Sequence, residues 1–188
     1  MAPKSLHAVA LTPIILGLQN AAAVLRKGEA HAKANGIDSN DYLTARLHSD
    51  MGDLCFQVYR FTDSAKFIVE RCSPSAPTIS NPDVQKTFPE LLERIQKTLE
   101  YVESIGPDAF EGREDEEVVL LMARNAPNGP AEVRLTAFNY VLQQAHPNFW
   151  FHVTTMYDIL RSKGVPVGKT DFLNGAGVIP IKWLGQNA

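Results

Sequence analysis

Disulfide chemistry is the first thing the chain lacks the material for: its 188 residues hold two cysteines, Cys55 and Cys72. Both fall on one helical segment, about 25 Å apart at about 1.5 Å of rise per residue, far beyond disulfide reach. Two unbridged thiols suit a reducing, cytoplasmic compartment. With no basic cluster beside them they read as small buried apolar residues. Dense basic runs are also missing. Lys and Arg number 18 against 21 Asp and Glu, for a net charge of −3, and the isoelectric point is near 5.9. That balance offers no footprint for nucleic acid or an anionic membrane surface. Polar residues break the apolar passages before the roughly 18 residues of a spanning helix, and MAPKSLHAVALTPIILGLQNA lacks a signal-peptide cleavage pattern.

Several catalytic signatures are absent too. Gly164 to Thr170, GVPVGKT, places three residues between its glycines where a phosphate loop needs four. It follows a helix instead of a strand and leads into DFLNG, so no helix N-terminus is expected to cradle a phosphate. No G-x-S-x-G elbow occurs. His146 and His152 are six apart, which rules out an H-x-x-x-H pair on a regular helix. The acidic run from Glu111 to Glu117 has no calcium-loop spacing.

What is present is a 45% hydrophobic composition suited to a single domain with a substantial core, with residues 174–188 as an extended tail that docks Trp183. A first helix is predicted from about Ser5 to Asn35, ended by Gly36, with Pro13 either marking its true start near Thr12 or bending it. A second carries Leu47, Met51, Leu54, Val58, Phe61, Ala65, Ile68 and Cys72 at unbroken helical spacing. Pro74, Pro77 and Pro82 stop it. T-F-P-E at Thr87 is a capping box for a third helix. VVLLM and AEVRL, between Glu117 and Ala137, read as a small hairpin or paired extended segments. Thr136 caps a fourth helix that runs to Lys163, with a kink expected at Pro147, one turn before His152. The fold class is therefore mainly all-α, a four-helix bundle with the second and fourth helices facing each other through Leu54, Phe61, Ala145 and Met156.

The chemistry concentrates on the fourth helix. At about 100° per residue, Phe138, Val141, Ala145, Asn148, His152, Met156 and Ile159 fall within roughly 40° of one line. A buried imidazole and carboxamide on that stripe need partners from other helices. Asp50 and Gln57 on the second helix lie near enough to its apolar line to face inward, although Asp50 equally suits a helix cap. Tyr59 is about 140° from that line and needs a different neighbour to take part. An apolar pocket around His152 is expected, lined by Leu54, Gln57, Phe149 and Met156.

The run PNFWFHVTTMYDILRSKGVPVGKTDFL resembles the pattern PNFxFHxTTxYxILRxxGVPxGKxDFL of an uncharacterised bacterial and fungal family. That family is known as the domain of unknown function numbered nineteen ninety-three and groups with the DinB/YfiT-like metalloenzymes. AAAVLRKGEAHAKANGID and ARLHSDMGDLCFQV resemble its first two helices, whereas the tail after Leu173 departs from it. The resemblance implies a DinB-like four-helix bundle, often a homodimer, whose relatives bind a divalent metal through one histidine of the second helix and two of the fourth. Here His152 matches one of those, Asn148 stands four residues earlier, and Asp50, Gln57 or His48 stands for the helix-two ligand. If a metal binds, His152 and Asp50 are its candidate ligands.

Three functions follow as expectations. The first is a small-molecule enzyme of isomerase, lyase or cyclase type, with His152 as general acid or base and Asn148, Asp50 and Tyr59 assisting. The second is a divalent-metal-dependent transferase or hydrolase. The third is a non-catalytic ligand-binding or structural bundle in which His152 and Asn148 are satisfied by Gln57 or backbone.

Overall fold

Three long helices of the structure, a computed structural model describing residues 5–122 and 129–182, begin where the sequence supplies a side-chain cap. Helix α1, Leu6–Asn35, starts at Ser5, whose hydroxyl accepts from the Ala8 N–H, and stops at Gly36 with φ 62°. That left-handed conformation suits glycine and closes the helix end. Pro13 lies inside α1, so the helix runs through the proline instead of starting beside it. A short helix α2, Asn40–Leu43, follows. Helix α3, Leu54–Cys72, is capped by Asp53, which accepts from the Phe56 N–H. Helix α4, Phe88–Glu103, carries the complete capping box of Thr87 and Glu90.

Two expectations for the second helix need correction. Leu47 and Met51 precede α3 in a loop, with Leu47 42% exposed. Asp53 takes the cap that Asp50 was offered. Helical spacing extrapolates smoothly through Gly52-Asp53, but an extended Asp53 with a bonded side chain starts a new helix there.

After a 3₁₀ turn at Pro107–Phe110, β1, Glu117–Met122, pairs antiparallel with β2, Ala131–Thr136, in a register that sets Leu120 opposite Val133. Val118 is 4% exposed and Leu121 83%, the alternation of a two-stranded ribbon with one face on the core. The hairpin leads into α5, Ala137–Tyr140, capped by Thr136. A π-helical turn, Val141–Ala145, then joins α5 to α6, His146–Ser162. Gly164, at φ 86°, turns the chain into α7, Lys169–Asn174.

A helix thus does begin after GVPVG, against expectation, and the chain's own carboxylate occupies its start. Asp171 accepts from the Gly168 N–H at 2.8 Å and pairs with Lys27 at 2.5 Å. Asn20, buried in α1, donates to the Leu173 carbonyl and accepts from the Ala176 N–H, so the start of the tail is tied to the bundle. Trp183 lies outside the described residues.

The core lies where α3 packs on α6 and α1 packs on α4 and α6. Leu11, Ile14, Leu18, Leu54, Phe61, Phe149, Met156 and Leu160 are fully buried, each such side chain contributing about 1.5–3 kcal/mol. Phe61 meets Phe149 edge-on at 5.9 Å, so α3 and α6 face each other as expected. Against expectation, an 18-residue window of α1 has mean hydropathy 1.8, long and apolar enough by composition to cross a membrane, but over half of it is buried in the bundle. That burial accounts for its composition.

Close approach of α1 to α6 requires Gly17. A Cβ there would lie 2.5 Å from the Phe149 ring, which is fully buried between Phe61 and Trp150. Alanine gains about 1 kcal/mol of helix propensity, but displacing a locked ring costs about 1–3 kcal/mol. Gly17→Ala is therefore expected to lower stability by about 1 kcal/mol in urea denaturation. A gain would show that the ring yields freely.

Candidate functional site

Continuous helical spacing places Asn148 and His152 on the buried line of the last long helix, and the π-helical turn changes that. An extra residue in one turn rotates all that follows, and Pro147, with no N–H to offer the Gln143 carbonyl, stands just beyond it. The centre of the buried face of α6 runs through Phe149, Val153, Met156 and Leu160. Asn148 lies roughly 110° and His152 roughly 70° from that centre. Asn148 is accordingly exposed, His152 half-buried, and Phe138, also placed on the predicted stripe, is 39% exposed.

His152 meets α3 through one bond. Its Nδ1 lies 2.7 Å from Gln57 Oε1, while the Gln57 amide nitrogen donates to the Gly52 carbonyl at 2.8 Å. The amide oxygen therefore faces the imidazole and accepts from Nδ1–H, which leaves the Nε2 lone pair on the other side of the ring. Phe56 and Phe151 stand edge-on to the imidazole at 6.1 and 5.1 Å, and Arg60 lies over the Phe56 ring. Burial, with a smaller contribution from the Arg60 charge, pushes His152 down to about 4. The ring is neutral at pH 7.

The remaining candidates do not join it. Asn148 donates to Ser64 Oγ at 2.6 Å, one turn before His152. Asp50 is exposed in the loop before α3 and bonds His48 at 2.5 Å; its predicted inward face vanishes because the helix starts later. Tyr59 is buried, donates to the Gln85 carbonyl, and is pushed up to about 12, chiefly by burial. Asp50 and Tyr59 instead share the rim of a cavity of about 460 Å³ with Arg46, Cys55, Phe56 and Lys86. His152 does not line it. Leu54, Phe149 and Met156 are fully buried and offer no surface to a ligand, whereas Gln57 stands against His152.

Sequence reasoning missed Arg94. Only 3% exposed, it donates to Thr62 at 2.7 Å, to the Pro82 carbonyl at 2.8 Å and to Asp63 at 3.0 Å, and stacks over Tyr59. Asp83 pairs with both Arg94 and Arg60. The signal was available, since Arg94 falls about 70° from the apolar line through Leu91, Ile95, Thr98 and Val102.

The residues present do not fit a divalent metal. The centre offers one imidazole, an amide oxygen already engaged by that imidazole, and an amide turned to Ser64. A guanidinium stands close by. Among the described residues no group of three or more His, Cys, Asp or Glu is arranged to hold an ion. Zinc-type sites need three or four anionic or imidazole donors, with partners that orient them.

The architecture agrees with a crystal structure of a DinB family member protein from Shewanella denitrificans, similar at a TM-score of 0.77 and 31% identity over 95% of each chain. The fold is DinB-like. The chain belongs to the family described as domain of unknown function (DUF1993), whose model matches residues 6–173. No curated protein matches it.

The depressed His152 pKa makes stability depend on pH. An unfolded imidazole takes its proton near 6.5 and the folded one near 4, so between those values the unfolded chain holds more protons. The contribution is full above pH 6.5 and is lost as pH falls through about 4. The shift corresponds to on the order of 3 kcal/mol, less what water reaching the half-buried ring takes back. His152→Gln should flatten the fall in unfolding free energy between pH 6.5 and 4; equal slopes in both proteins would place the acid sensitivity elsewhere.

Proposed function

We propose that this protein is a small-molecule-binding helical bundle whose centre between α3 and α6 works without a resident metal and uses His152 as a neutral hydrogen-bonding group. The observation that carries this is the 2.7 Å bond between His152 Nδ1 and Gln57 Oε1. It fixes the tautomer and leaves Nε2 as an acceptor beside two aromatic edges. An amide cannot supply the negative charge that would make the ring more basic. With its pKa pushed down to about 4, the ring is a weaker base than a free imidazole and holds no proton on Nε2 at pH 7. Nitrogen-15 NMR of the imidazole should show the neutral Nδ1–H tautomer from pH 5.5 to 8. Equimolar zinc or nickel should leave both that spectrum and the melting temperature unchanged. A protonated ring at pH 7, or a stoichiometric metal that raises the melting temperature, would overturn the reading.

A second reading rests on the same free Nε2: proton transfer of isomerase, lyase or cyclase type, with His152 as the exchanging group. It separates from the first by its kinetics, because general acid or base catalysis loses about 10²–10⁴-fold on His152→Gln with the fold intact. The partner in either case is a small-molecule ligand.

We also propose that the chain forms a homodimer. Phe138, Leu142, Phe56 and Phe151 are 39–56% exposed on α5, the π-helical turn, α3 and α6, and an identical subunit commonly covers such surface. Light scattering should give twice the chain mass at micromolar concentration; a monomer across moderate salt would contradict it.

A further inference from the structure

We propose that the small cavity beside the π-helical turn is a binding site for a short-chain carboxylate, with Arg71 as its anchor. The cavity, of about 90 Å³, is lined from α3 by Ser64, Phe67 and Arg71, from β1 by Leu120, and from the last helical stretch by Tyr140, Gln144, Ala145 and Asn148. It stands without the His152 reading, since neither His152 nor Gln57 lines it.

Arg71 is held for recognition of something outside the chain. Its guanidinium lies over the Phe67 ring at 4.6 Å and the Tyr140 ring at 5.4 Å. One Nη1–H donates to the Tyr140 hydroxyl at 2.9 Å, and Tyr140 itself is 2% exposed. The plane of the cation is thus fixed by two aromatic faces and a buried phenol. Among the described residues it pairs with no carboxylate. That contrasts with Arg60 and Arg94, which share Asp63 and Asp83. A guanidinium carries five N–H donors in a planar fork, so most remain for a ligand, and the fork matches a carboxylate bidentately. Across the cavity, the Ser64 hydroxyl donates to the Arg60 carbonyl and accepts from Asn148. That arrangement turns the Asn148 amide and leaves its oxygen and second N–H for a bound group.

Size and lining choose among anions. The volume holds a few waters or an acid of two to four carbons, and Phe67, Leu120 and Ala145 give an alkyl chain an apolar wall. Inorganic phosphate needs donors all round; here the cation is on one side only. The π-helical turn builds the site, because it brings Gln144, Ala145 and Asn148 onto the same face as Tyr140. Such turns are frequent at functional positions.

The test titrates the full chain at low salt with acetate, propionate, butyrate and inorganic phosphate, following the Arg71 Nε–H and the amides of residues 144–148 by NMR. Saturable shifts with propionate or butyrate, tighter than with phosphate, are expected. Arg71→Gln should weaken binding about 10- to 100-fold, as loss of a charged hydrogen-bonding partner does, and Arg71→Lys should recover only part of it. Leu120→Phe, which fills the cavity and keeps the charge, should also weaken binding and decides the matter if Arg71→Gln does not fold. No saturable shift up to tens of millimolar, phosphate binding as tightly as the carboxylates, or wild-type affinity in well-folded Arg71→Gln would each overturn the proposal.

Discussion

The buried guanidinium of Arg94 is the interaction on which one side of this bundle depends. An arginine that is 3% exposed must have its N–H groups paired, because an uncompensated buried charge costs several kcal/mol. Helix α3 supplies Thr62 and Asp63, and the proline-rich connector supplies the Pro82 carbonyl, Gln85 and Asp83. Pairing the charge therefore folds the connector down on α3 and α4. Tyr59 completes the enclosure, with its ring under the guanidinium and its hydroxyl on the Gln85 carbonyl. Lys86, which follows, reaches the rim of the larger cavity with Asp50. Desolvation of one cation shapes a loop that composition alone describes only as a connector.

On the opposite side the organising feature is backbone, not charge. The π-helical turn at Val141–Ala145 lets a helix containing Pro147 continue, and it sets the phase of everything up to Ser162. Phe149 moves to the centre of the packed face and meets Phe61, Trp150 and the bare backbone at Gly17. Asn148 moves to the edge and meets Ser64. His152 comes to rest between these positions, half-buried and close enough to α3 for Gln57.

Much of this was legible in the residues, and the limits have physical causes. Ser5, Thr87 and Thr136 cap helices where local chemistry requires an oxygen acceptor, and Gly36 and Gly164 close helices where a positive φ is needed. The hairpin was readable as one of two alternatives, from the runs VVLLM and AEVRL separated by a segment rich in turn residues. Periodicity failed where the backbone departs from 3.6 residues per turn or where a helix restarts, hence the misplaced Asn148 and Asp50. It also could not assign partners. The facing of Tyr59 toward Gln85 is set by Arg94, 35 residues further on, and no local pattern carries that information. Gln57 was within reach of the sequence because it lies about 60° from the Leu54 line and needs a polar partner.

The amide of Gln57 sets what the neighbouring histidine can do. The amide oxygen accepts from Nδ1–H, while burial, with a smaller contribution from the Arg60 charge, keeps the ring neutral. Arg60, which would repel an ion, is accommodated by Asp63 and Asp83 and lies over Phe56 beside the imidazole. Holding a neutral ring against aromatic edges requires no anionic donors, and Asp63 of α3 and Asp83 of the connector pair with Arg60 and Arg94 instead. The electrostatics of the helix pair thus follow from its packing: negative charge is committed to the connector side, and the His152 side is left neutral.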